Sequence, residues 1–162
     1  MDHRYGDSTR IESVLGQVAD NRCVHWVSDG DWDMHDLLIG LLMITGPATV
    51  HLSSYAFSEH AARIIVDLKA RGMIRELYCL IDSRIDRRSN NALSLLENCA
   101  TRCKMLSTHA KVTVLSSDKS DMAVVGSANY TTNRRYEAGV IIVNPEVVGY
   151  HKKWMMNELC KP

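Results

Sequence analysis

Residues 109–143 read HAKVTVLSSDKSDMAVVGSANYTTNRRYEAGVIIV, in which β-branched apolar runs flank a turn-rich SSDKSD. Strand side chains alternate between faces, so these runs predict strands, and SSDKSD folds the first two into a hairpin. The pairing has a chemical consequence. His109 and Lys111 share one strand face, and Ser127 and Asn129 share another. On adjacent strands these four groups converge on one spot, and Gly126 lets the backbone come close to a ligand. With Glu137, an imidazole, an ammonium, a hydroxyl, a carboxamide and a carboxylate fall within 29 residues. That set suits a tetrahedral oxyanion, and phosphate in particular.

The rest of the chain alternates helices and strands. Ile11, Val14, Leu15 and Val18 recur at helical spacing and predict a short amphipathic helix, a helical extension over residues 1–20. A strand follows over 23–27, then a helix capped by Asp31 or Asp33 that runs to about Thr45 and stops at Gly46-Pro47. Residues 49–54 predict a strand, Ser58 caps the next helix with Gly72 at its end, and 74–81 is a strand again. A polar loop over 82–88 leads to a helix over 90–103. After the hairpin come a strand over 138–143 and a last helix, with Asn144 as cap and Pro145 in its first turn. This order predicts an α/β fold: a mixed sheet flanked by helices on both faces, in a single domain over 1–162.

A hydrophobic fraction of 46% and a charged fraction of 23% are those of an ordinary globular protein. The net charge is zero, so any hold on a polyanion has to come from local basic clusters. Five cysteines form neither a zinc spacing nor an even disulfide framework. Cys99 and Cys103, four apart on one predicted helix, read as buried apolar thiols, which suits a cytoplasmic setting. The polar start MDHRYGDSTR lacks a signal-peptide core, and the apolar stretch over 37–44 is too short to span a bilayer. His25, His35, His51 and His60 show no metal-ligand spacing, and Trp26, Trp32 and Trp154 read as packing residues.

His109-x-Lys111, then Gly126-Ser127-x-Asn129, then Glu137 resembles the signature of the phospholipase D superfamily, of the minimal branch that carries one motif per chain. Element order over residues 22–158 is also similar to one family half-domain. One departure stands out: where the family's Asp follows the Lys, this chain has Ser116, and the nearest carboxylates are Asp118 and Asp121. The resemblance implies a metal-independent phosphodiesterase needing no cofactor. His109 would be the nucleophile, forming a phosphohistidine that water later hydrolyses. Lys111, Asn129 and Ser127 would hold the non-bridging oxygens, and Glu137 would orient His109. His151-Lys-Lys153 repeats the tripeptide on the last helix, where residues two apart do not face one another.

The resemblance further implies a symmetric homodimer, since two imidazoles are needed and the chain offers one motif. Arg84, Arg87, Arg88, Arg134, Arg135, Arg102 and Lys104 are candidates for a basic rim around the site. Arg88, Arg134, Arg135 and Gly126 are the expected substrate-binding residues, with DNA as the leading substrate and endonucleolytic cleavage as the leading activity. No aromatic ridge or amphipathic membrane helix is evident, so stable membrane association is not expected. The alternatives are a phospholipid-acting enzyme and a catalytically silent nucleic-acid-binding module on the same fold.

Overall fold

The computed structural model describes residues 10–18, 22–84, 91–132 and 134–162. In chain order the elements are α1 (Ile11–Val18), β1 (Cys23–Ser28), α2 (Met34–Thr45), β2 (Ala48–Ser54), α3 (Glu59–Ala70) and β3 (Ile74–Asp82), followed by α4 (Ala92–Cys99), β4 (Arg102–Leu106), β5 (Val112–Ser116), β6 (Asp121–Gly126), β7 (Glu137–Ile142) and α5 (Pro145–Cys160). The strands form one sheet in the order β1-β7-β6-β5-β2-β3-β4. The pairs β2/β3 and β3/β4 are parallel and the others antiparallel, which makes the sheet mixed as expected.

Both sheet faces carry helices. Val14, Leu37, Leu41, Ile65 and Leu96 from α1–α4 join buried residues of β1–β3 in the larger core. Val148, Met155 and Leu159 of α5 pack against Leu80, Val112, Val114 and Ala123 in a smaller core on the opposite face. The helix starts follow from their caps. Ser58 Oγ accepts the Ala61 N–H at 3.1 Å, and Asn144 Oδ1 accepts Glu146 N–H at 2.8 Å, with Pro145 in the first turn. The hairpin turn is set by Ser117, whose Oγ accepts the N–H groups of Lys119 and Ser120 at 3.1 Å each.

The structure corrects the reading of residues 90–103. Helix α4 ends at Cys99, and Arg102–Leu106 is the edge strand β4. Cys103 therefore lies on β4, directly opposite Cys79 of β3, and not in line with Cys99 on a helix. Cys79 is the buried thiol; Cys99 and Cys103 are half-buried and Cys160 is exposed.

Candidate active site

The three parallel strands point their C-terminal ends to one edge of the sheet, where ligands of open α/β folds bind. The chain leaves β4 there and runs back across the ends of β3 and β2 before starting β5. Two pins hold this crossing: Thr108 N–H donates to Asp82 Oδ2 at 2.9 Å, and Ser53 Oγ donates to the Ala110 carbonyl at 3.1 Å. His109 and Lys111 sit on this crossing and not on a strand, because β5 begins only at Val112. Gly126 closes β6 at the same edge, so Ser127 and Asn129 also follow their strand.

His109 is exposed and Lys111 half-buried. Lys111 Nζ lies 3.2 Å from His109 Nδ1 and 3.5 Å from Nε2, and donates to the His109 carbonyl at 3.0 Å. Burial lowers the Lys111 pKa, and the negative charge of Glu137 opposes that shift. Ser127 donates its hydroxyl to the Glu137 carboxylate and accepts the Ala138 N–H at 3.1 Å. Glu137, expected to orient His109, is thus engaged by Ser127.

Asn129 is locked from behind. Its Oδ1 accepts Ser54 Oγ–H at 3.3 Å and the backbone N–H groups of Tyr55 and Ala56 at 3.2 Å each. With Oδ1 so occupied, the amide group Nδ2 carries the donors open to a ligand. The next residue strengthens the lock: Tyr130 is buried, stacks on Phe57 at 4.8 Å, and its hydroxyl bonds Thr113 at 2.8 Å. Burial pushes the Tyr130 phenol up, so it stays neutral.

Sequence reasoning missed Tyr55 and Asp82. The Tyr55 ring packs 4.8 Å from the His109 ring, while Arg84 Cζ lies 4.8 Å and Lys111 Nζ 5.6 Å from its centroid. Asp82 is fully buried and anchors both Thr108 and Arg84. Each ends, or directly follows, a parallel strand, and that position was the available signal.

The expected substrate-binding residues divide. Arg134 and Arg135 are exposed just before β7, and the Arg134 backbone lies so close over Gly30 (φ +95°) that a Cβ there would sit 2.8 Å from its Cα. Arg87 and Arg88 lie outside the described residues. At Gly126 a Cβ would lie 2.7 Å from the Ala138 carbonyl and 3.1 Å from the Trp26 ring, so the close approach at this glycine is to β7 and Trp26. Arg102 and Lys104 do not join the rim. Lys104 donates to the Glu158 and Lys161 carbonyls at 3.0 and 2.7 Å, completing the C-terminus of α5, and Arg102 contacts Cys160. Asp118 of the hairpin turn pairs with Arg75 at 2.7 Å, and Asp121 stands opposite Ser116 in the ladder.

Trp26, Ser28, Trp32, Asn129 and Glu137 line a cleft beside the motif residues. Trp26 and Trp32 are buried, their rings 5.2 Å apart. Next to this cleft, Asp33, His35 and Asp36 bring ligand atoms within 4.8 Å of one another at the start of α2. Asp36 there accepts the Asp33 N–H at 2.8 Å, a bond that serves the helix end, and burial lowers the His35 pKa.

An open mixed sheet flanked by helices, with polar groups at the ends of its parallel strands, defines an α/β fold of the open-sheet kind. No protein-family model matches the chain, and no curated protein does. Solved structures do. Nuc from Salmonella typhimurium, a phospholipase D family member, is similar with a TM-score of 0.63 at 21% identity, over 83% of this chain and 91% of that one. Polyphosphate kinase from Porphyromonas gingivalis is similar with a TM-score of 0.61 at 16% identity, covering 93% of this chain and 28% of the kinase. TrmBL2, an archaeal chromatin protein with a novel mode of DNA binding, gives 0.56 at 14% identity, over 91% of this chain and 58% of its own. The chain has the phospholipase D fold.

Proposed function

We infer that this protein is a metal-independent phosphodiesterase that cleaves DNA internally through a covalent phosphohistidine, at a site shared by two copies of the chain. The observation that carries this reading is that His109, Lys111, Ser127, Asn129 and Glu137 lie at one end of the sheet, where His109 meets Lys111, Ser127 meets Glu137, and the Glu137 charge acts on Lys111. His109 attacks phosphorus with a ring nitrogen lone pair, the P–O bond to the leaving oxygen breaks, and a second imidazole donates the proton that oxygen needs. Water, giving its proton to that second imidazole, then breaks the P–N bond and frees His109. Lys111 and the Asn129 amide stabilise the charge on the non-bridging oxygens, the task a cation performs elsewhere.

A second copy supplies the second imidazole. His109 and Ser127 are exposed at the edge, and α5 leaves the β7–β1 half of its sheet face uncovered, with Val140, Ile142 and Val27 only half-buried there. Joining two such faces about a two-fold axis would bring the motifs together. The DNA preference draws on exposed Arg134 and Arg135 and on the likeness to TrmBL2. That likeness also favours the second reading, a silent DNA-binding module. Among the described residues no helix is long and apolar enough to cross a membrane.

Incubation with plasmid DNA, single-stranded DNA and bis(p-nitrophenyl) phosphate in EDTA separates these readings. Cleavage in EDTA is expected. Activity that vanishes in EDTA and returns with magnesium refutes the mechanism, and DNA binding without cleavage establishes the silent module.

A further inference from the structure

Arg84 is held in a fixed pose by a residue that is itself out of reach of solvent. Asp82, the last residue of β3, is fully buried. Its carboxylate accepts the Arg84 backbone N–H at 2.9 Å, the Nε–H at 2.8 Å and an Nη2–H at 3.3 Å. The Thr108 N–H adds a bond at 2.9 Å. These donors are what a buried carboxylate requires, and the Arg84 guanidinium beside it holds Asp82 well below the usual carboxylate range. The arginine does not follow Asp82 inward. Its side chain is 63% exposed, and the bonds to Asp82 use Nε and Nη2, so the Nη1 edge remains open to a ligand.

Tyr55 fixes where that edge stands relative to the motif. The guanidinium and the His109 ring each lie 4.8 Å from the Tyr55 centroid, so they are no more than about 10 Å apart. A neighbouring phosphate along one nucleic-acid strand falls within that limit. Paired with Asp82, Arg84 adds little net charge. It adds two N–H donors held in one plane, which suits the oxygens of a phosphodiester and loses little freedom on binding.

We propose that Arg84, clamped by Asp82 and Tyr55, is a subsite for the phosphodiester next to the one that His109 attacks. The substrate class that follows is an oligonucleotide with at least two consecutive phosphates, in preference to an isolated phosphodiester. This rests on the phosphodiesterase reading for the position of the attacked phosphate, while the subsite itself is a matter of binding.

The test is a binding measurement with two thymidine trinucleotides. One has two ordinary diester linkages, and the other has an uncharged methylphosphonate in place of one of them. A His109→Gln background prevents turnover. The diester form should bind about tenfold tighter than the methylphosphonate form, and Arg84→Gln should remove most of that difference. Glutamine retains a donor for Asp82, and thermal unfolding checks that the fold survives. If Asp82 left without its arginine unfolds the protein, the double variant Asp82→Asn, Arg84→Gln carries the same comparison. A diester preference that persists without Arg84, or no preference in the parent, overturns the subsite. Hydrolysis of bis(p-nitrophenyl) phosphate by the wild-type protein is followed separately. Its absence defeats the phosphodiesterase reading, and the binding difference still decides the subsite.

Discussion

Thr108 donates its backbone N–H to Asp82 Oδ2 at 2.9 Å, which ties the residue before His109 to the end of β3. The buried carboxylate thus positions the crossing that carries His109. Asp82→Asn places an amide among donors that need an acceptor, and should lower the Tm by several degrees at pH 7. The sign with pH follows from the depressed pKa of Asp82 in the folded state. Its contribution is complete above its unfolded value of about 3.9 and is lost as pH falls through the folded one. The gap in stability between wild type and Asp82→Asn should therefore shrink below about pH 4, measured by thermal unfolding across pH.

On the proposed mechanism, Lys111 should govern the alkaline side of activity. Burial lowers its pKa, so the rate should fall with rising pH earlier than the ordinary lysine value of about 10.4. Glu137 pulls in the opposite direction, so Glu137→Gln should move that limb to lower pH still. Profiles of kcat/KM against pH with bis(p-nitrophenyl) phosphate check this, and a limb that moves up contradicts it. Lys111→Ala should cost on the order of 10²–10³ in rate, and Glu137→Gln less.

Two glycines should resist substitution for reasons of packing. A Cβ at Gly139 would collide with the Trp26 ring and the Val125 carbonyl, and one at Gly126 would lie 2.7 Å from the Ala138 carbonyl. Either alanine variant should lose about 1–3 kcal/mol, read by denaturant unfolding, because the colliding atoms belong to backbone and a buried indole. An unchanged midpoint would show that β6, β7 and Trp26 yield more easily than their packing implies.

A shared site makes a quantitative statement about mixed dimers. Wild-type chains mixed with His109→Ala chains should give heterodimers that are nearly dead, because either the attacking or the protonating imidazole is missing. Half activity per heterodimer, or a fully active monomer, overturns the shared site. The dimer interface should bury more than roughly 1,000 Å² if it is stable.

Features set by neighbours in sequence were legible. The caps Ser58 and Asn144 and the hairpin around Ser117 arise locally or across one turn. His109, Lys111, Ser127 and Asn129 were expected on strand faces, whereas they lie just before β5 and just after β6. Strand β4 was not legible. Arg102 to Met105 alternates polar and apolar, but the run is too short to stand out from the helix before it, and it becomes a strand through parallel pairing with β3, which is distant in sequence. The same distance hid Lys104, whose partners are α5 carbonyls. Tyr55 and Asp82 gain their roles from where the chain crosses the sheet, a tertiary fact that no spacing encodes.

The central claim is that His109 becomes covalently bonded to phosphorus. Rapid acid-free quenching of the protein with p-nitrophenyl thymidine 5′-phosphate in EDTA, followed by peptide mass spectrometry, tests it directly. A thymidylyl group should be found on the peptide containing His109, forming and decaying as p-nitrophenol is released. His109→Ala should show no adduct and a rate lower by on the order of 10⁴ or more. Steady turnover without an adduct at His109, or near wild-type turnover in His109→Ala, would contradict it.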